Sequence, residues 1–205
     1  MTISRRSLLT VVPAGFTLSA IALGSTAARA EDDPRAERFI GKPDAKVTVG
    51  EYFSLTCTHC AAWGKGVFPE VKTNLIDTGK IYYIYRDFPL DQVALTAAMV
   101  ARALPPERYE PFVDALLATQ DHWAFARDVN TNEEIYKLAA LAGMPRPLFD
   151  ATIADEKLRA AILAAQDAGA KKYGIDSTPT FVINEKPHAG EQSYDEFAKL
   201  VAGAV

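Results

Sequence analysis

The chain has 205 residues, and 22 basic against 26 acidic side chains give it a net charge of −4 at pH 7. Residues 1–30 hold three arginines and no acid, so the rest of the chain is more acidic still. Binding to nucleic acid favours a basic face, so we expect no nucleic-acid partner. The 175 residues after position 30 are enough for one domain with a hydrophobic core.

Residues 1–30 have the composition of an export signal peptide. Arg5 and Arg6 precede an apolar stretch, Leu8 to Leu23, that contains proline and glycine and is too short for a convincing membrane span. Ala28-Arg29-Ala30 matches a cleavage site, which predicts Glu31 as the first mature residue. The Sec route and the twin-arginine route are both open, with an uncleaved anchor as a third possibility. Either route predicts a periplasmic protein, in a compartment where disulfides persist.

The first half of the mature chain is predicted to form a β-α-β unit. Residues 31–46 are polar and predict a surface lead-in. Val47 to Phe53 alternates as a strand does, and Ile81 to Arg86 is aromatic and β-branched like a second strand. Between them, apolar residues at four-residue spacing predict a helix from Cys57 to Thr78, with a kink at Pro69.

The second half begins with an alanine-rich helical block at about residues 91–173. Thr131-x-x-Glu134 has the pattern of a capping box at the start of one helix, and Gly174 closes the last. Two short strands and a final helix follow, at Thr180–Ile183, Pro187–Ala189 and Ser193–Ala202. The order β-α-β, helical block, β-β-α predicts an α/β fold with a mixed sheet and a helical insertion.

The two cysteines of the chain form one motif, Cys57-Thr58-His59-Cys60. Such a pair at a helix start is typical of redox chemistry, because the helix N-terminus favours the thiolate of the first cysteine. An inert staple is an alternative, although so short a loop would stabilise the fold little. A metal site is another, but two cysteines cannot complete a four-cysteine zinc site, and His122 and His188 lack partners at ligand spacing. Ala61 stands where c-type haem attachment needs histidine, so we expect neither metal nor cofactor.

The chain resembles the DsbA-like thiol–disulfide oxidoreductases of bacteria, which belong to the thioredoxin superfamily. The resemblance rests on Glu51 to Cys60, on the helical insertion and on Ser177 to Phe181. It implies a thioredoxin-like fold with the helical insertion between its βαβ and ββα halves. It also implies that Cys57 is the attacking cysteine, at an exposed helix start, and that Cys60 is the more buried resolving thiol.

Four further site residues follow from the resemblance. His59 would favour the thiolate of the first cysteine by donating to it or by carrying charge beside it, or it could be solvated. Glu51 shares an apolar strand face, so its pKa should rise and it could relay a proton for the second cysteine; alternatively it pairs with a lysine. Thr178 and Pro179 would form a cis peptide facing the cysteines, where the Thr178 backbone could bind an extended substrate, or they could form a simple turn.

The resemblance implies an enzyme that donates disulfides to unfolded or newly exported cysteine-containing proteins and is re-oxidised by a quinone-linked membrane partner. Only about 16 residues precede the first predicted strand of the mature chain, so we expect no dimerisation domain and a monomer. Thr58 replaces the proline typical of the oxidases, and Thr178 is more typical of isomerases, so a reductase or isomerase is the alternative. A non-catalytic chaperone or metal-binding protein is the alternative of another class.

Overall fold

The computed structural model describes residues 33–205, so the signal peptide predicted for residues 1–30 lies outside the described part of the chain. Five strands form one sheet: β1 (Arg38–Gly41), β2 (Val47–Phe53), β3 (Ile81–Asp87), β4 (Thr180–Ile183) and β5 (Lys186–Ala189). Their spatial order is β1-β3-β2-β4-β5. β2 and β3 are parallel, and every other neighbouring pair is antiparallel.

The helices lie in three groups along the described residues. Between β2 and β3 are α1 (Thr58–Gly66), α2 (Phe68–Val71) and a π-helical turn (Lys72–Ile76). Between β3 and β4 are α3 (Gln92–Arg102), α4 (Pro106–Ala118), α5 (Gln120–Trp123), α6 (Thr131–Leu141), α7 (Arg146–Ile153) and α8 (Glu156–Tyr173). The last helix is α9 (Tyr194–Ala202). The predicted fold class, a thioredoxin-like α/β fold with helices inserted between a βαβ and a ββα half, is confirmed.

The central strand β2 sets the position of α1. Alternate residues of β2 are buried on one face, and Glu51 shares that face with Val49 and Phe53. Trp63 of α1 packs against this sheet, with its ring centroid 4.5 Å from that of Phe181 in β4. Such aromatic packing places the N-terminus of α1 at the carboxyl end of β2, where the two cysteines lie.

The single helix predicted from Cys57 to Thr78 is wrong, because it is three separate pieces. α1 ends at Gly66, α2 begins at Phe68, and the π-helical turn continues to Ile76. Pro69 lies in the first turn of α2, where its missing N–H breaks no helical hydrogen bond. The proline therefore marks a new helix start and does not kink a continuous helix.

The polar lead-in predicted for residues 31–46 is also wrong in part, because it contains β1. β1 pairs antiparallel with β3 at one edge of the sheet. Arg38 is 3% exposed, and its guanidinium donates to the carbonyl oxygen of Arg102 at 2.7 Å and lies over the ring of Tyr109. These partners belong to α3 and α4, and Arg102 is more than 60 residues further along the chain than Arg38.

The predicted helix end at Gly174 is confirmed, and the predicted capping box is misplaced. Gly174 follows α8 with φ of 68°, the left-handed conformation that glycine adopts readily at a helix end. The cap of α6 is Asn130, whose side chain accepts from the N–H of Glu133 at 3.3 Å. Thr131 is therefore the first helical residue, and the predicted Thr131–Glu134 box does not form the cap.

Candidate active site

The two cysteines lie one helical turn apart with unequal burial. Cys57 is the N-cap of α1, and Cys60 lies inside the first turn. Cys60 is fully buried, as predicted, while Cys57 is 8% exposed and so more enclosed than the exposed helix start that was expected. Both are free thiols. A reagent from solvent therefore has access to Cys57 and not to Cys60.

The loop before β4 lies against Cys57. The predicted cis peptide between Thr178 and Pro179 is present. Cys57 Sγ lies 3.3 Å from the carbonyl oxygen of Thr178, to which it donates a hydrogen bond when it is protonated. The loop is held from its far side, because the N–H of Gly190 donates to the carbonyl oxygen of Pro179 at 2.8 Å. The sheet thus brings residues separated by 121 positions into direct contact.

The two thiols differ in acidity. The pKa of Cys57 is lowered to about 5, chiefly because the Cys60 thiol donates a hydrogen bond to its sulfur. The Thr178 side chain and the backbone N–H groups of Cys60 and His59 lower this pKa further, while burial opposes them. The same thiol–thiol hydrogen bond, burial and the nearby Glu51 raise the pKa of Cys60. At neutral pH the pair therefore consists of a Cys57 thiolate and a Cys60 thiol.

Glu51 is a buried carboxyl group behind this pair. It is 5% exposed, and burial raises its pKa to about 7, as the alternation of β2 predicted. The hydroxyl of Tyr83 donates to Glu51 Oε2 at 2.6 Å and partly offsets that rise. Its hydrogen-bond partner is therefore a tyrosine and not the lysine of the alternative interpretation. A carboxyl group with this pKa can both accept and donate a proton near pH 7.

His59 points its ring away from a direct bond with the first cysteine. Its Nδ1 lies 2.5 Å from Glu191 Oε1, and the His59 side chain is 72% exposed. Glu191 raises the pKa of His59, and the negative charge of Cys57 adds to the effect. The imidazole therefore acts on Cys57 through charge, while the backbone N–H of His59 provides the hydrogen bond.

Gln120 is a site residue that the sequence did not reveal. It is 5% exposed in α5, and its Nε2 donates to the carbonyl oxygens of Leu55 at 2.8 Å and Cys57 at 3.0 Å. These two bonds fix the backbone that leads into α1. A glutamine within a helical block carries no local signal of this role, because its partners lie more than 60 residues earlier.

Trp123, His122 and His188 belong to no group of side chains within the described residues that could hold a metal ion. Trp123 is buried, and its Nε1 donates to the carbonyl oxygen of Leu116, so it packs the helical block. His122 is exposed on α5, and His188 is half-buried on β5. Within residues 33–205, no group of three or more histidines, cysteines or acids is placed to hold a metal ion. The helices of this part of the chain are each too short or too polar to cross a membrane.

Comparisons with known proteins find a matching family and relatives over most of the chain. A family model described as Thioredoxin matches residues 34–202. A Rickettsia prowazekii protein provisionally named a protein-disulfide oxidoreductase is 33% identical over 167 residues, which are 81% of this chain. The alignment covers 60% of that relative, so the chain spans less than two thirds of its length.

Solved structures match over more of their length. Crystalline alpha-DsbA1 from Wolbachia pipientis aligns with a TM-score of 0.76 and 31% identity, over 82% of this chain and 90% of that one. BdbD from Bacillus subtilis aligns with a TM-score of 0.72 over 82% of this chain and 92% of its own. At 20% identity, BdbD shares the fold.

Proposed function

The chain belongs to the DsbA-like family of the thioredoxin superfamily, and from this membership we propose that it is an exported thiol–disulfide oxidoreductase. The supporting observation is the difference between its two thiols. Cys57 has a pKa lowered to about 5, whereas Cys60 is buried with a raised pKa. A stable Cys57 thiolate favours the reduced form, so the Cys57–Cys60 disulfide is a strong oxidant. The favoured direction is therefore donation of disulfides to other proteins.

The reaction transfers two electrons from a substrate dithiol to the Cys57–Cys60 disulfide. A substrate thiolate attacks Cys57 Sγ, and Cys60 leaves as a thiolate that takes a proton from Glu51. The second substrate thiolate then attacks the substrate sulfur of this mixed disulfide and releases Cys57 as a thiolate. Cys57 is a good leaving group because its pKa is low. The substrate ends as a disulfide and the enzyme as a dithiol.

Substrates bind beside Cys57 in an extended conformation. Support comes from the contact between Cys57 Sγ and the Thr178 carbonyl oxygen, which places a backbone acceptor next to the reacting sulfur. An extended chain pairs with such backbone groups without regard to its side chains. Newly exported or unfolded proteins with cysteines are therefore suitable substrates, since their backbone is still free to pair.

The proposed setting is the periplasm, with residues 1–30 as the export signal and residues 31–205 as one thioredoxin-like domain whose helical insertion covers about 91–173. A quinone-linked membrane protein would re-oxidise the dithiol, and the enzyme would act as a monomer. Thr178 before Pro179 favours a second candidate, an isomerase or reductase kept in the dithiol form. A non-catalytic chaperone would have no use for a thiolate cysteine paired with a buried thiol, and a metal-binding protein would need ligands beyond the two cysteines, which residues 33–205 do not place beside them.

Three activity assays on the mature protein test this proposal. The oxidised protein should convert reduced ribonuclease to its disulfide form stoichiometrically, and it should refold scrambled ribonuclease poorly. Insulin reduction should be slow, because the Cys57 thiolate is stable. Efficient refolding of scrambled ribonuclease together with a tight dimer in sedimentation would contradict the oxidase direction. If the protein is inactive in each of the three assays, the proposal that it is an enzyme is contradicted.

We expect His59→Ala to raise the pKa of Cys57 and to make the protein a weaker oxidant. The substitution removes the ring whose protonation Glu191 favours, but it leaves the backbone N–H that bonds Cys57. The His59 and Glu191 side chains are 72% and 41% exposed, so solvent screens their charges. The rise in the pKa of Cys57 should therefore stay below about one unit. Thiolate absorbance at 240 nm measures it.

The matched control is His122→Ala, which removes an exposed histidine outside the motif. In His122→Ala the thiol of Cys57 should titrate at the same pH as in the wild type. A Cys57 titration that is the same in both variants and the wild type would show that the His59 ring plays no part.

A further inference from the structure

A small cavity lies between the buried Glu51 and Asp114 at the protein surface. It measures about 10 Å3, close to the smallest volume that holds one water molecule. Its lining includes Glu51 from β2, Gly64 from α1, Tyr85 from β3, and Asp114 and Leu117 from α4. Asp114 is exposed to solvent, whereas Glu51 is buried. The cavity therefore has a carboxyl group at its inner end and another at its outer end.

Among the residues that line this cavity, Tyr85 carries a buried hydroxyl group that would bind a polar molecule. Tyr85 is 3% exposed, and within the described residues its hydroxyl oxygen has no hydrogen-bond partner. A buried hydroxyl without a partner costs free energy, so a water molecule in the cavity would be bound by it. That water would also have two carboxyl groups around it, which supplies the several polar partners that a buried water needs.

We infer that Asp114, through a water molecule held by the Tyr85 hydroxyl, exchanges protons between Glu51 and solvent. The inference rests on the proposed function, in which Glu51 takes the proton of Cys60 when the dithiol is re-oxidised. Cys60 Sγ then attacks Cys57 Sγ, and the partner's sulfur leaves as a thiolate. The proton on Glu51 passes to the water, a proton of the water passes to Asp114, and Asp114 loses it to solvent. Asp114 is a positioning residue, because it acts through Glu51 and not on a sulfur atom.

The charges around the two carboxyl groups suit such an exchange. The residue Asp114 as a whole is exposed, but its carboxyl group is partly desolvated, which raises its pKa to about 6. This lies next to the value of about 7 for Glu51, so a proton can pass in either direction near neutral pH. The pKa of Glu51 is affected by Tyr83 of β3 and by Cys57. The pKa of Asp114 is affected by Glu110 of α4 and by Lys72 of the π-helical turn. The negative charge of Asp114 also raises the pKa of Glu51, as a like charge does.

Asp114→Asn tests the outer end of the route. The reduced protein is mixed with saturating oxidised glutathione in weak buffer, and acid-quenched samples are resolved by mass spectrometry. The decay of the glutathione mixed disulfide gives the rate at which Cys60 attacks. Asp114→Asn should slow this step by about tenfold in the molecules whose Glu51 starts protonated, because Glu51 must first lose that proton to solvent; this is less than the ~10²–10⁴-fold of a direct general base. Added imidazole should restore the rate, and Asp114→Glu should retain it.

The pH dependence separates this role from a structural one. Loss of the Asp114 carboxylate lowers the pKa of Glu51, since a neighbouring negative charge is removed. The rise of the rate with pH should therefore move to lower pH in Asp114→Asn. A variant that only disturbed folding would lower the rate at every pH without moving the midpoint.

Gly64→Ala tests the cavity without changing a titratable group. An added Cβ would lie 3.5 Å from Leu117 Cδ1, an ordinary contact, so the protein should fold while a methyl group takes the place of the water. Gly66→Ala is the matched control on α1, because a Cβ there meets nothing within 4 Å. Gly64→Ala should resolve the mixed disulfide severalfold more slowly, and imidazole should not restore the rate. Gly66→Ala should resolve the mixed disulfide at the wild-type rate.

The inference is overturned if Asp114→Asn keeps the wild-type rate and pH midpoint, or if Gly64→Ala and Gly66→Ala behave alike. A different result would overturn the proposed function itself. In that case the wild-type protein would form no mixed disulfide with glutathione, or would form one that Cys60 does not resolve.

Discussion

Cys57→Ser will reduce disulfide transfer to the uncatalysed background. Cys57 is the thiol whose pKa is lowered to about 5, and it is the one partly open to solvent. Cys60 is fully buried with a raised pKa, so it cannot replace Cys57 as a nucleophile. Oxidation of reduced ribonuclease measures the loss.

Cys60→Ala provides the matched variant, because it removes the other half of the pair. It should still form mixed disulfides through Cys57, and they should accumulate because no second thiol resolves them. Mass spectrometry of acid-quenched reactions identifies these complexes. Trapped complexes with Cys57→Ser and none with Cys60→Ala would mean that the two roles are reversed.

Glu51→Gln will slow the attack of Cys60 by about 10²-fold, the contribution expected of a positioned general base. The amide can still accept the hydrogen bond of Tyr83, but it cannot accept a proton from the Cys60 thiol. In the wild type the rate should rise with pH through the Glu51 pKa of about 7. In the variant this rise should vanish, while the equilibrium potential changes much less.

Tyr83→Phe separates the proton role of Glu51 from a packing role. Its hydroxyl lowers the pKa of Glu51, so its loss should move the rise of the rate to higher pH. Equal rates for Glu51→Gln and the wild type from pH 6 to 9 would leave Glu51 as a structural residue.

The wild-type protein should lose stability relative to Glu51→Gln as the pH rises, because Glu51 is buried and its pKa is raised. The pKa of Glu51 is raised from 4.5 in the unfolded chain to about 7, so its favourable contribution is present below pH 4.5 and is lost as pH rises to 7. Glutamine does not titrate. Relative to the wild type, the variant should therefore gain on the order of 2 kcal/mol of unfolding free energy between pH 5 and pH 8. Urea unfolding at both pH values measures this gain.

The parts of the site that the sequence predicted are those with a local pattern. The Cys57–Cys60 spacing at a helix start and the alternation of β2 around Glu51 both depend on near neighbours in the chain. Gln120 has no such pattern, because its role comes from carbonyl groups more than 60 residues earlier. The same holds for Asp114, which meets Glu51 only where the inserted helix α4 packs beside α1.

The fold was predictable to the same extent. The predicted helix end at Gly174 is confirmed, and the last helix, predicted from Ser193, begins at Tyr194 with Ser193 as its cap. β1 was missed because its four residues show no clear alternation and its buried Arg38 looks like a surface residue. The guanidinium is satisfied by backbone carbonyls of the helical insertion, which only the folded chain brings near.

The reduction potential of the Cys57–Cys60 pair, measured against glutathione at pH 7, tests the proposed oxidase direction most directly. The lowered pKa of Cys57 stabilises the dithiol, so we expect a potential at or above about −180 mV. The disulfide would then oxidise glutathione and most exposed substrate thiols. A potential near about −270 mV, the value of thioredoxin, would make the dithiol a reductant and contradict the proposal that this protein donates disulfides.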